Sequence, residues 1–237
     1  MRLDKFICKS TELTRNEAKK LLKSGEVRVN GEVEKNPAMQ VHENNSITVD
    51  GQMLTARTSR YFMLHKMADS ICSNIDEIYP SVLNYLDVDK AFDLHIAGRL
   101  DADTTGLVLI TDDGRWSHNV ISPKKGCKKI YRVWLRNIIA EDKSEELIER
   151  FKQGIQLQGE SSLTRPAILE LVRDSDVDNE VLLTITEGKY HQVKRMFAAV
   201  GNRVIGLHRE QIGAIKLTDL APGEWRNLTE EEVALFS

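Results

Sequence analysis

The amino-acid sequence predicts an α+β protein in two domains, residues 1–57 and residues 61–237, and three observations carry that reading. Near the amino terminus two short amphipathic helical patterns run into a hairpin signal. The stretch Ala56 to Arg60 then lacks apolar periodicity and reads as a linker. Beyond it, short apolar and β-branched runs alternate with stretches of helical spacing. A chain of 237 residues can build one small and one larger core, and 29% charged with 41% hydrophobic residues excludes a disordered or low-complexity protein.

Within residues 1–57, Leu3, Phe6 and Ile7 share one helical face, with Arg2, Lys5 and Lys9 mostly on another. Thr14 to Glu17 has the spacing of a capping box, Ala18, Leu21 and Leu22 form an apolar stripe, and Gly25 supplies the stop. The opposite face offers Arg15, Lys19 and Lys23, with Lys20 beside them, a row spaced to meet successive phosphates. Val27 to Val33 alternates around Asn30-Gly31 and carries Arg28, and Ser46 to Gly51 reads as a further strand and turn. This segment holds ten Lys and Arg against eight Asp and Glu, a balance of +2, so the remainder carries −5 of the total of −3. Nucleic-acid contact must therefore rest on local basic patches and not on bulk attraction.

In the larger segment Tyr61 to Leu64 is a strand pattern ending at His65-Lys66. Leu107 to Ile110 suits a strand buried on both faces, between a turn around Gly98 and a second turn, Asp112-Asp113-Gly114. The first turn is expected to hold the Asp101 carboxylate beside the Arg99 guanidinium, which favours the charged form. Lys128 to Leu135 is a strand pattern whose apolar positions Ile130, Val133 and Leu135 alternate imperfectly. Asp142 to Gln153 predicts a helix stopped by Gly154, and Val181 to Thr186 a core strand. Val193, Met196, Phe197 and Val200 predict a helix running to Gly201, and Thr229 to Glu232 a capped terminal helix.

Several classes fall away. The charged start, MRLDKFICKS, lacks the apolar run of a signal peptide, and no segment reaches membrane-spanning length. Three cysteines without paired spacing fit reduced thiols, hence the cytoplasm. There is no glycine-rich nucleotide fingerprint, and His95, His118, His191 and His208 lack metal-site spacing. A metal ion shared by Asp101 and Asp103 would demand further carboxylates converging on it, and the sequence shows no such ligand cluster.

Residues 98–114, GRLDADTTGLVLITDDG, resemble the signature of the RsuA-type pseudouridine synthases, in which the Asp of Gly-Arg-Leu-Asp is catalytic. On residue pattern alone such an Asp is ordinarily a cap or turn residue; the resemblance makes Asp101 the nucleophile, attacking either the base or the ribose anomeric carbon. Lys129-Ile130-Tyr131 matches the family's Lys-x-Tyr motif, which implies that Tyr131 stacks on the target base and that Lys129 contacts substrate. His191-Gln192-Val193-Lys194-Arg195-Met196 is similar to the third motif, and it implies that Lys194 keeps the aspartate charged, with Arg195 as the other candidate for that role. Arg99 is also a candidate to fill the space of an extruded base. The family usually has Lys-Pro-x-Gly where this chain has Lys66-Met67-Ala68-Asp69.

Residues 1 to about 55 resemble the S4-like RNA-binding domain, which implies RNA contact through Arg2, Lys5, Arg15, Lys19, Lys20, Lys23 and Arg28. Taken together, the resemblance implies a mixed, largely antiparallel sheet with flanking helices in the catalytic domain and isomerisation of a uridine in small-subunit ribosomal RNA. It implies no cofactor, no metal and no membrane, and a monomer acting on RNA or on a partly assembled small-subunit particle. The alternatives are a large-subunit enzyme of the same family and a non-enzymatic RNA-binding assembly factor.

Overall fold

The computed structural model describes residues 1–172, 179–218 and 220–237, and the chain divides into two compact units, Met1–Ser59 and Arg60–Ser237. The smaller unit has α1 (Leu3–Ser10) and α2 (Arg15–Ser24) packed beside a sheet of β1 (Val27–Val29), β2 (Glu32–Val33), β3 (Ile47–Val49) and β4 (Gln52–Met53), in the order β2-β1-β3-β4. Its local chemistry follows the sequence closely. Thr14 and Glu17 close the capping box, and Gly25 ends α2 in the left-handed region. Asn30 and Gly31 both take positive φ, 53° and 89°, as the tight turn between β1 and β2 requires. Leu3, Ile7, Ala18, Leu22, Val27, Val29, Val41 and Ile47 form its core.

The larger unit is built on a mixed sheet. Its strands are β5 (Tyr61–Lys66), β6 (His95–Ala97), β7 (Thr105–Thr111), β8 (Lys129–Leu135), β9 (Ile168–Leu171), β10 (Glu180–Ile185), β11 (Val204–Ile212), β12 (Ile215–Lys216) and β13 (Trp225–Asn227). The main order is β13-β5-β7-β11-β8-β10-β9, with β6 paired to β7 and β12 to β11. Of the strand pairings among the described residues, only β7 with β11 is parallel. Among the described residues four α-helices flank it, α3 (Gly114–Ile121), α4 (Glu141–Gln153), α5 (Gln192–Ala199) and α6 (Glu230–Ala234).

Strand β7 is buried on both faces. Val108 and Ile110 enter one core with Phe62, Leu64, Tyr131 and Val133, while Leu107 and Leu109 enter the other with Met63, Trp116, Val120 and Ile212. Every one of its four central side chains is 0% exposed, and burial of each stabilises the fold by about 1.5–3 kcal/mol. Where β7 meets β11, Gly106 lies opposite Arg209 at φ +112°, and a Cβ there would sit 2.2 Å from the Arg209 carbonyl oxygen. Only glycine allows that approach.

Two expectations change. Asp112-Asp113-Gly114 does not merely turn: the Asp113 carboxylate accepts from the backbone N–H of Arg115 (3.0 Å) and Trp116 (3.1 Å) and caps α3. In β8 the alternation is regular, but the buried set is Lys129, Tyr131, Val133 and Leu135, with Ile130 facing away. The sequence pattern misleads because a lysine occupies an inward position. The remaining expected elements agree, including the end of α4 at Gly154, which takes φ +107°, and the Thr229–Glu232 capping box at α6.

Candidate active site

The turn from Gly98 to Thr104, between β6 and β7, is held at both ends by buried cations. Lys66, 0% exposed at the end of β5, donates from Nζ to the carbonyls of Met67 (3.0 Å), Ala102 (3.2 Å) and Thr104 (2.8 Å). Burial pulls the Lys66 pKa down against the pull of nearby Asp101 and Asp103. Asp69 adopts φ +60° and its N–H donates to the Ala102 carbonyl at 3.0 Å. An aspartate tolerates that left-handed conformation, so the loop keeps its tight course where the family pattern has glycine. At the other end the Gly98 carbonyl accepts from Arg209 Nη2 at 2.8 Å, and the Leu100 N–H donates to Cys72 Sγ at 3.3 Å.

The Asp101 carboxylate, one-third exposed, faces α5 and not Arg99. Lys194 Nζ lies 3.3 Å from its Oδ2, and His191 Nε2 lies 3.2 Å from its Oδ1. Lys194 also donates to both oxygens of Asp103, at 2.8 and 2.9 Å, so the two carboxylates converge on one ammonium. The hydrogen bond from Lys194 holds the Asp103 carboxyl below its ordinary range. Burial opposes the Lys194 charge, but the hydrogen bond to Asp103 and the nearness of both carboxylates outweigh it and raise the Lys194 pKa.

The expected Arg99–Asp101 pair does not form. Arg99 is exposed at the rim of the cavity, while the Asp101 carboxylate is taken up by Lys194 and His191. Arg195 is also drawn away from Asp101. Its guanidinium pairs with Glu160 (3.2 Å) and donates to the carbonyls of Gln158 (2.8 Å) and Tyr190 (3.1 Å). One helix position separates Lys194 from Arg195, about 100° around α5, which sends them to different neighbours.

A cavity of about 150 Å³ opens beside Asp101, walled by Lys129, Tyr131, Ile185, Leu207 and Arg209 among others. Tyr131 and Lys129 reach it because β8 turns both to its buried side. The Tyr131 hydroxyl accepts from Arg209 Nη1 at 3.3 Å, and Arg209 Nε donates to the Leu107 carbonyl at 2.9 Å. Arg209, 1% exposed, thus ties β7, β8 and the Gly98 turn together. Lys129 is 6% exposed, and burial lowers its pKa.

Sequence reasoning missed Lys66, His191 and Arg209 as site residues. Lys66 stands at the lysine of the family's Lys-Pro-x-Gly segment and was read only as the end of a strand pattern, and Arg209 lies in a stretch that sequence reasoning did not single out. His191 stood within the third motif and was passed over because it lacks metal-site spacing. Among the described residues no group of His, Cys, Asp or Glu is arranged to hold a metal ion.

In the smaller unit the basic candidates separate. The Arg2 guanidinium donates to both oxygens of buried Asp4, at 3.0 and 2.8 Å, and Arg15 lies 3.9 Å from the same carboxylate. Lys5 and Lys19 are half-buried, while Lys20, Lys23 and Arg28 are exposed. Arg28 Nη1 donates to the Gly31 carbonyl at 3.0 Å across the hairpin.

Comparison with known proteins agrees with this architecture. Residues 60–199 match the RNA pseudouridylate synthase family, and residues 1–47 match the S4 domain. The chain is 55% identical over 234 residues to a ribosomal small subunit pseudouridine synthase A of Vibrio parahaemolyticus, covering 98% of each protein. It is 49% identical over 236 residues to the protein of that description from Escherichia coli, covering 99% of each. A crystal structure described as a pseudouridylate synthase aligns over the whole of both chains with a TM-score of 0.69 and 45% identity.

Proposed function

The chain belongs to the RNA pseudouridylate synthase family, and on that premise we propose that it isomerises one uridine of small-subunit ribosomal RNA to pseudouridine, with Asp101 as nucleophile. The observation that carries the residue roles is the carboxylate of Asp101 fixed by Lys194 and His191 at the edge of a cavity walled by Tyr131. A carboxylate held between a cation and an imidazole, next to a pocket with an aromatic wall, is equipped for covalent catalysis on a flat heterocycle.

The target nucleotide must leave its stack, at a cost of about a few kcal/mol. Tyr131 offers its ring to the extruded uracil, Lys129 supplies a donor to the base, and Asp101 acts as covalent catalyst. The bond from C1′ to N1 breaks, the uracil turns, and a bond from C1′ to C5 forms. C5 then loses its proton and N1 gains one, so the atoms balance without an electron carrier. Arg209 positions Tyr131 and the turn that bears Asp101. Arg99, at the rim, is free of that turn's internal bonding and meets the RNA strand. Lys20, Lys23 and Arg28 of the smaller unit contact phosphates, with Arg2, Lys5, Arg15 and Lys19 as lesser contributors because they are paired or half-buried. The enzyme works as a monomer in the cytoplasm.

The test is tritium release from ribosomal RNA labelled at C5 of uridine, comparing small-subunit with large-subunit RNA, each bare and protein-bound. Release equivalent to one uridine in small-subunit RNA is expected. Release from large-subunit RNA alone overturns the substrate, and RNA binding without any release makes the protein an assembly factor.

A further inference from the structure

Tyr190 is the largest anomaly on the surface beside the site. It is 75% exposed, yet its ring is not loose: it stacks on His191 with centroids 3.8 Å apart and planes at 22°. His191 in turn sits at φ +48°, a conformation uncommon for a residue with a Cβ, and its Nε2 rests on Asp101. The Tyr190 carbonyl is held by Arg195 at 3.1 Å, and Arg195 is anchored on Glu160. One face of the phenol is therefore fixed against a ring that touches the nucleophile, and the other faces solvent.

The surroundings show what that open face fits. His191 borders both the inner cavity beside Asp101 and a wider adjoining cleft of about 900 Å³, whereas Tyr190 lines the outer cleft only. Arg99 lines the same cleft, as does Pro123, which is followed by exposed Lys124 and Lys125. An immobilised aromatic ring with cations nearby is the arrangement that receives single-stranded nucleic acid, bases on the ring and phosphates on the cations.

We propose that Tyr190 is a stacking platform for the base of a nucleotide next to the target uridine, in the outer cleft, while the uridine occupies the inner cavity. The proposal rests on the pseudouridine synthase reading above. Extruding a uridine unstacks its neighbour as well, and the ring gives that neighbour a surface in place of the lost one. Every base has a flat face, so the platform favours an unpaired nucleotide without reading its identity.

The test uses the full chain and a short single-stranded RNA with 2-aminopurine on either side of a uridine labelled with tritium at C5. Binding of the wild-type protein quenches the 2-aminopurine on one side. Tyr190→Ala removes the quench and weakens binding about tenfold, while Tyr190→Trp and Tyr190→Phe retain both. An equal quench and equal affinity in Tyr190→Ala overturn the platform. So does loss of quench in Tyr190→Trp and Tyr190→Phe alike, since that pattern marks a structural role. Tritium release from the same RNA reports separately: a Tyr190-dependent quench with no release, here or from ribosomal RNA, leaves the platform standing and removes the reaction.

Discussion

In the unit of residues 1–59, Lys20, Lys23 and Arg28 stand in solvent, whereas in the larger unit Lys66 and Arg209 are almost wholly buried and each donates to at least two backbone carbonyls. The residue types are the same and their physical work is opposite. Burying a cation is costly unless acceptors meet it, so Lys66 and Arg209 occur where carbonyls converge, and they fix the backbone that made those carbonyls available. Exposed cations such as Lys20 and Lys23 keep their hydration and rotamer freedom, so they attract a polyanion without defining a geometry. One set builds the site and the other is suited to gathering substrate.

That contrast can be broken in four places, beginning with the largest effect. Asp101→Asn removes the group that the buried cations serve; turnover falls by at least about 10⁴-fold while RNA affinity stays within about threefold, since most affinity comes from phosphate contacts. Single-turnover assays and filter binding check this. Residual turnover near wild type would take the nucleophile away from Asp101.

Arg209→Met comes next. It strips donors from the Gly98 and Leu107 carbonyls and from the Tyr131 hydroxyl, and since each buried group left bare costs about 1–3 kcal/mol, chemical denaturation should show a loss of about 3 kcal/mol. Turnover of the folded variant falls as well, because the turn and Tyr131 lose their common anchor. Wild-type stability would show that water or rearrangement replaces the guanidinium.

Converting Lys20, Lys23 and Arg28 together to Gln should act on binding alone. The salt dependence of RNA affinity becomes shallower by roughly 0.7–0.9 for each phosphate contact removed, with stability and saturated turnover unchanged. A change in saturated turnover would mean that these exposed cations also shape the site.

The smallest effect lies at the exception within the smaller unit, buried Asp4 with its Arg2 partner. The hydrogen bond from Arg2 lowers the Asp4 pKa, so its contribution to folding is complete above about pH 4 and is lost as the pH falls through the folded value. Asp4→Asn should cost about 1 kcal/mol at neutral pH, and the difference should vanish in acid. Denaturation of both proteins across pH 2.5–7 reads it, and a pH-independent difference would assign Asp4 a packing role only.

The capping boxes at Thr14 and Thr229, the Asn30-Gly31 turn and the double burial of β7 were legible in the sequence because each is fixed by residues within a few positions of one another. Asp101, Tyr131 and Lys194 were named as site residues from three separated motifs and a family resemblance, without any means of measuring their distances. Composition and spacing thus pointed to most elements, while the resemblance supplied the residues to inspect.

Tertiary structure decided among the cations offered to Asp101. Local spacing put Arg99 nearest and the third motif's resemblance offered Lys194 or Arg195, and it is Lys194, 93 positions away, that makes the contact, because α5 delivers it to the turn. It likewise decided that Lys66 and Arg209 are interior, that Gly106 must lack a Cβ, and that His191 joins Asp101 to Tyr190. These facts depend on how strands and helices far apart in the chain are brought together, and no local pattern of charge or apolarity encodes such a meeting.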